Sequence, residues 1–528
     1  MSAVSQLNSN AELYRHGQAL SMNLNACHSL ADILKTNLGP NGTIKMLVGG
    51  AGDVQITKDG NVLLKNLTII HPTAMLIARA AVAQDENTGD GTTSSVLLID
   101  GILKQCERRL SEGVHPRVLT TGIEEARDES LRFIEKFKVE KAPTRDFLLN
   151  VAKTSLCTKL PIELVGKLSE IVTDSILTIK RENEKVNLFM VEQLSMMSKL
   201  ASETSLVKGL VLDHGLRHPL MKRDMRNVYI FICNISLEFE NTEVNTAFSS
   251  NAAEMREKMA DAERKFVTAK VQKIIDLKNQ VCKNGEDFLL VNMKGIDLPS
   301  LELLYKAGIS ALRRAKQRNM ERLSLACGGR QMNSVDDLKP DCLGFAGHVW
   351  ETVVGEDHWT YIEDVKDPRS VTILLRGPNN HTLKQMQDAV RDGLRAVNNA
   401  IEDRAVLPGA GAFEVALWHH LSEYIKTVTG KNRIGVQAFA EALLEVPRTL
   451  AINAGHDAVE TIVSLQAAAD QNQVAGLDIE NGGCLDPRVA GIWDNLCVKK
   501  QQIESAPLVA SQLLLVDEVL KAGQSIKK

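Results

Sequence analysis

Apolar residues recur at spacings of four and three through Leu20, Leu24, Cys27, Ala31, Leu34 and Leu38, one stripe along a helix. Gly39-Pro40 predicts its end, because glycine accepts the left-handed cap and proline cannot continue the helix. Ile44 to Val48 and Val54 to Thr57 read as short strands of a hairpin, joined by Gly49-Gly50-Ala51-Gly52-Asp53. Lys58-Asp59-Gly60 reads as a turn, and Pro72 opens a helix to about Asp85. Thr88-Gly89-Asp90-Gly91-Thr92-Thr93-Ser94-Ser95 reads as a glycine-punctuated loop feeding a helix at Val96, and helices continue to about Lys141.

The middle of the chain has a different pattern. After Pro143 short helices and strands mix, and Val228 to Cys233 is β-rich. A long charged helix is predicted from about Ala252 to Gln280, with Met255, Met259, Ala262, Phe266 and Ala269 on one side. A second, basic helix is predicted from about Ile309 to Leu325. Val371 to Gly377 has the character of a buried strand, and from about Gln385 the pattern is helical again. Helical ends around a mixed middle predict a multi-domain α + α/β protein, with α/β material inserted into a domain built from both termini.

Length and composition narrow the classes. A chain of 528 residues suits roughly two to four domains. Lys plus Arg is 62 and Asp plus Glu is 66, a net charge of −4, which argues against nucleic-acid binding driven by overall charge. With 44% apolar and 24% charged residues the chain is expected to fold, and with 4% aromatics its core must come mainly from aliphatic side chains. No apolar run approaches the ~20 residues of a membrane helix, and Met1 to Ser5 lacks a signal-peptide pattern, so no membrane association is expected. The nine cysteines form no CxxC pair, which points to a reducing, cytoplasmic setting. The sequons at Asn41, Asn66 and Asn234 then carry no meaning. The histidines form no HExxH, and His419-His420 has no third ligand nearby.

The candidate chemistry centres on Gly89 to Ser95. Backbone amides at a helix start, freed by glycines, make an anion site, and Thr92, Thr93 and Ser94 add hydroxyls. Asp90 would repel phosphate but suits Mg²⁺, which takes one or two carboxylates together with phosphate oxygens. No GxxxxGK[ST] occurs, so this is not a P-loop. The plain alternative is a glycine turn with a capped helix. Leu38-Gly39-Pro40, Lys58-Asp59-Gly60 and Pro408-Gly409-Ala410-Gly411-Ala412 are each, alone, ordinary turns or helix stops. Asp392 would ordinarily be a solvated helix acid, and Asp494 either faces a ribose or ends a turn. On the predicted basic helix Arg314, Arg318 and Arg322 fall at i, i+4 and i+8, one face, flanked by Arg313 and Lys316. That is a solvated face or a docking surface. Nucleic acid is the weakest reading there, because no aromatics interleave with the charges.

Taken in order, Leu-Gly-Pro, Lys-Asp-Gly, Gly-Asp-Gly-Thr-Thr, Arg-Gly-Pro with Asp392 downstream, and Gly-Ala-Gly-Ala-x-Glu resemble the group II chaperonins over the whole chain. Gly-Asp-Gly-Thr-Thr is the most specific marker. Asp213-His214-Gly215, Thr242-Glu243-Val244-Asn245, Arg313-Arg314-Ala315-Lys316, Val390 to Val397, and Trp493-Asp494-Asn495 with Val498-Lys499-Lys500 look like one subunit branch of the eukaryotic cytosolic chaperonin, TRiC or CCT.

The resemblance implies a mainly helical equatorial ATPase domain at 1–143 and 398–528 and an α/β intermediate hinge domain at 144–213 and 366–397. It also implies an α/β apical domain at 214–365 with a helical lid protrusion at about 244–275. The expected partners are other subunits of a hetero-oligomeric double ring, eight related subunits per ring, and unfolded clients such as actin and tubulin. The expected cofactors are ATP/ADP and Mg²⁺. By resemblance, Leu38, Gly39, Pro40, Gly91, Thr92, Thr93 and Ser94 lie at the phosphates, and Asp90 binds the metal. Asp59 and Asp392 position the attacking water, the latter after the intermediate domain swings in. Thr158 and Lys159 match the nucleotide-sensing loop. Gly411 and Asp494 hold ribose and base, joined as cofactor-binding residues by Ala410 and Lys499. Arg314, Arg318 and Arg322 face clients.

This chain departs from the family at Lys58 (usually Asn), at Ala410 inside the glycine triplet, at Gln387-Asp388 (usually Glu-Arg) and at Asn41 (usually Lys). Lys58 and Ala410 motivate one competitor, a ring subunit whose pocket is mainly structural. A metabolic phosphotransferase with an unrelated phosphate site is the other.

Overall fold

The computed structural model describes residues 12–15, 17–50, 52–181, 184–197, 200–238, 253–283 and 285–521. The chain divides into two compact units, Met1–Thr173 with Lys384–Lys528, and Asp174–Leu383. No helix among the described residues is long and apolar enough to cross a membrane.

The unit drawn from both ends of the chain is a helical bundle. Its central helix, Thr92–Ser111, buries Val96, Leu97, Leu98, Ile99, Ile102, Leu103 and Cys106. Its N-terminal half, buried continuously from Ser95 to Leu103, must be wrapped on every side. Gly17–Lys35, Pro72–Thr88, Asn432–Leu443 and Leu496–Leu514 pack against it. The first of these buries Leu24, Cys27, Ala31 and Leu34, the expected stripe, but it ends at Lys35, one turn before Gly39. Helix Pro116–Phe137 crosses Asn432–Leu443 at Gly122 and Gly435. A Cβ on Gly122 would lie 2.2 Å from the Asn432 carbonyl oxygen, and one on Gly435 2.4 Å from that of Leu119, so only glycine permits this crossing.

Small sheets tie distant segments of this unit together. Ala405–Pro408 pairs antiparallel with Trp493–Asn495 on one side and Val139–Glu140 on the other. Glu12–Arg15 pairs with Glu518–Lys521. The expected hairpin forms from Lys45–Val48 and Val54–Thr57, and it leaves Met46 and Val48 exposed.

The inserted unit is α/β. A six-stranded sheet runs in the order Ile309–Leu312, Asp287–Asn292, Asp224–Cys233, Gly344–Val354, Asp357–Glu363, Leu210–Leu212, parallel among the first three strands and antiparallel beyond. In a three-stranded sheet Val371–Gly377 is central, parallel to Val191–Met197 and antiparallel to Ser205–Val207.

Two expectations fail in the inserted unit. The basic helix predicted over 309–325 is a strand, Ile309–Leu312, then a loop, then a helix, Gln317–Cys327. Ile309 to Leu312 is buried throughout and completes the parallel sheet, and Arg314 takes a left-handed φ of 56° that breaks any helix there. Arg314, Arg318 and Arg322 therefore do not share a helix face.

The long charged helix, Ala253–Val281, is present, but Phe266 and Ala269 of its predicted apolar side are exposed. Its buried contacts come from Val271, Ile274 and Leu277, which pack on the sheet residues Phe231 and Phe288. The stretch 244–252 of the expected protrusion, with the motif at Thr242, lies outside the described residues.

Candidate nucleotide site

The helix of the Gly-Asp-Gly-Thr-Thr segment begins at Thr92, four residues before the predicted start at Val96. Gly89 caps the preceding helix at φ 80° and Gly91 caps the following one at φ 88°. Both conformations are left-handed, and between them they turn the chain within three residues. Thr92, Thr93 and Ser94 occupy the first turn, where amides have no partner four residues back, and Gly91 offers no side chain to cap them. The result is a row of open donors at the positive end of a 20-residue helix.

That helix start opens into a cavity of about 740 Å³. It is lined by Leu38, Gly39, Pro40, Asp59, Asp90, Gly91, Thr92, Thr93, Ser94, Thr158, Lys159, Ala410, Gly411, Asp494 and Lys499. The cavity thus gathers residues from both ends of the sequence. Close packing shapes its walls. A Cβ on Gly39 would meet Leu450 Cδ2 at 2.6 Å, and one on Gly91 would meet Val498 Cγ1 at 2.8 Å. Asp59 does not sit in a free turn: it caps the short helix Gly60–Asn66, accepting from the Asn61 amide at 3.3 Å.

Lys159 is the electrostatic hub. Its Nζ lies 3.1 Å from Asp59 Oδ1 and binds Asp392 Oδ2 directly. Burial disfavours this ammonium, but the charges of Asp59, Asp90 and Asp85 more than offset that and hold its pKa above the ordinary lysine range. Asp392, which by local pattern alone would be an ordinary solvated acid, is 5% exposed on helix Asn380–Asp403. It does not line the cavity itself but meets it through Lys159.

Asp90 is half-buried, and desolvation raises its pKa despite Lys159 and the 2.7 Å hydrogen bond from the Gly91 amide. Asp388, one turn before Asp392, is raised by burial and by Asp59, and one of its oxygens is buried without a hydrogen-bond partner. A site this rich in carboxylates, beside open amides, has the donor set for a divalent cation bound with a polyphosphate.

Sequence reasoning gave no role to several residues here. Lys58 donates to the Pro40 carbonyl at 2.8 Å and is buried, which lowers its pKa to about 8. Asp85 accepts from Asn61 Nδ2 and lies 3.9 Å from the Arg395 guanidinium. Glu414 binds Lys499 at 2.5 Å. Glu414 closes the Gly-Ala-Gly-Ala-x-Glu motif, so its position was visible, but a partner 85 residues away was not.

The arginines lie elsewhere. Arg322 is fully buried: its guanidinium donates to Ser370 Oγ, Glu192 Oε2, the Val371 carbonyl and Thr372 Oγ1. A side chain so engaged cannot present itself to a client, and that expectation is corrected. Arg318 pairs with Glu192 at 3.0 Å and covers the Phe189 ring, while Arg314 is 72% exposed.

A model of the TCP-1/cpn60 chaperonin family matches residues 30–524. The chain is 53% identical over 530 aligned residues to T-complex protein 1 subunit zeta-2 of Homo sapiens, covering 100% of both chains. It is 50% identical over 527 residues to the subunit of the same name from Mus musculus, covering 99% of each. By those names, the subunit branch that the sequence motifs resemble is the zeta branch. A family match across nearly the whole chain and full-length relatives of this similarity establish that the chain belongs to the TCP-1/cpn60 chaperonins, the ATP-dependent folding chaperones.

Proposed function

We propose that this chain binds and hydrolyses ATP as one subunit of a cytoplasmic, hetero-oligomeric double ring, and that hydrolysis drives closure of a lid over unfolded client proteins. One observation carries the reading. Open amides, carboxylates compensated by Lys159, and a glycine loop with Asp494 meet in one cavity of about 740 Å³. Chaperonins of this family are ATPases in general, and the donor set suits their cofactor.

The roles follow from chemistry. The amides and hydroxyls of Thr92, Thr93 and Ser94 take the phosphate oxygens, with Gly39 and Pro40 closing the opposite side. Asp90 would hold Mg²⁺, which would supply charge neutralisation to the phosphates. Asp59 and Asp392 orient water in line with the γ-phosphate and accept its proton. Lys159 pairs with both carboxylates and compensates their charge. Asp494, with Gly411, receives the sugar. In domain terms, 1–143 with 398–528 is the equatorial domain, 144–213 with 366–397 the intermediate domain and 214–365 the apical domain.

The test is an assembled ring in which the nucleotide pockets of all other subunits are disabled. The expected result is a very large particle in which this chain's pocket converts bound ATP to ADP. Recovery as a small particle would count against ring assembly. Bound ATP without ADP formation would favour a structural pocket, a reading supported by Lys159 already engaging Asp392 and Asp59.

A further inference from the structure

A line of three charges runs inward from the wall of the cavity, where Asp494 and Lys499 lie, to Glu414 behind them. Lys499 Nζ lies 2.5 Å from Glu414 Oε1 and 3.1 Å from Asp494 Oδ2. Side-chain exposure rises along the line: Glu414 4%, Lys499 10%, Asp494 27%. Only Asp494 therefore keeps an open side. Each residue comes from a different element. Glu414 is in the first turn of helix Ala412–Tyr424, Lys499 is in helix Leu496–Leu514, and Asp494 is in the strand Trp493–Asn495.

The order of the charges matters. A buried ammonium needs a counter-charge. With Asp494 alone as partner, Lys499 would form a one-to-one pair and neutralise the carboxylate that faces the cavity. Glu414 supplies a second counter-charge from behind. The three groups then sum to one negative charge, left on the exposed member. Asp494 is also confined laterally: a Cβ on Gly409 would lie 3.1 Å from its Oδ1, so the absent side chain leaves that oxygen room to accept a hydrogen bond.

We propose that Lys499, held in turn by Glu414, is a positioning residue that aims Asp494 at the hydroxyls of the nucleotide sugar. This rests on the reading of Asp494 as the sugar-binding carboxylate. Lys499 itself lines the cavity, and the role proposed for it here is exerted through Asp494.

The measurement is the ratio of affinities for ATP and 2′,3′-dideoxy-ATP, taken on the full chain in an assembled ring whose other pockets are disabled. A hydrogen bond from a hydroxyl to a charged acceptor predicts a preference for ATP of about tenfold or more in the unaltered chain. Asp494→Asn should remove most of that preference. Lys499→Met should remove it comparably, and Glu414→Gln should reduce it several-fold. The ratio is the readout, because a general loosening of the fold would weaken both ligands together. Preference lost in Asp494→Asn but kept in the other two variants would overturn the positioning role and leave the sugar reading standing. No preference in the unaltered chain, or one that survives Asp494→Asn, would overturn the sugar reading and this proposal with it. Should Lys499→Met fail to assemble, Glu414→Gln decides alone, since it preserves the shape of the side chain, and an unchanged ratio would refute the proposal.

Discussion

Lys159 binds the carboxylate of Asp392 across 233 residues of sequence and lies 3.1 Å from Asp59, so one ammonium links the two acids that the family resemblance assigns to water. None of the three is well exposed to solvent. Their mutual arrangement is therefore set by charge compensation in a poorly hydrated site, where an unpaired member is costly.

Asp392→Asn should keep ATP affinity within a few-fold, because Asp392 does not line the cavity. Loss of a general base should lower ADP formation by ~100-fold or more. Single-turnover conversion at this pocket, with other subunits disabled, checks it. Unaltered turnover would show that Asp392 serves only to neutralise Lys159.

For Asp90, the raised pKa sets a pH dependence. Metal binding needs the ionised carboxylate, and burial holds its proton to higher pH than an ordinary aspartate. Mg²⁺-dependent nucleotide retention should therefore weaken on acidification, starting above the usual aspartate range. Asp90→Ala should abolish it at every pH, measured as labelled ATP retained with and without Mg²⁺. Normal retention by that variant would remove Asp90 from the metal site.

Lys58 gives a stability signature of known sign. Its folded pKa is depressed to about 8 by burial, below the ~10.4 of an unfolded lysine. Between those values the unfolded chain binds more protons, so stability rises with pH across that window, by up to ~1.4 kcal/mol per pH unit. Below about pH 8 both states carry the charge and the slope vanishes. Denaturant unfolding of the chain and of Lys58→Met, compared at pH 7, 8, 9 and 10, should show this slope only where Lys58 is present.

Arg322 is predicted to be a stability residue. Arg322→Ala should destabilise the inserted unit by ~3–5 kcal/mol, since it strips a buried ion-pair partner from Glu192 and empties a large volume. Arg318→Ala should cost much less, because its side chain is 39% exposed. Thermal unfolding of the two variants side by side tests the contrast, and equal effects would contradict the burial argument.

Local pattern determined much of this protein from sequence alone. The stripe from Leu24 to Leu34, the hairpin at 45–57, the strand Val371–Gly377 and the left-handed glycines around Asp90 follow from periodicity and backbone chemistry within a few residues. The short ordered motifs also fixed the family, and with it which residues should meet.

What tertiary structure decided was the fate of charges. Arg322 and Asp392 look like solvated helix residues in a linear pattern, yet each is buried against a partner at least 130 residues away. Ile309 to Leu312 is too short to announce its period and became a strand because a parallel neighbour at Asp287–Asn292 had an open edge. The pairing of Glu414 with Lys499 and Asp494 depends on three elements converging. Desolvation and Coulomb energies depend on distance in space rather than in sequence, so only the folded chain could set them.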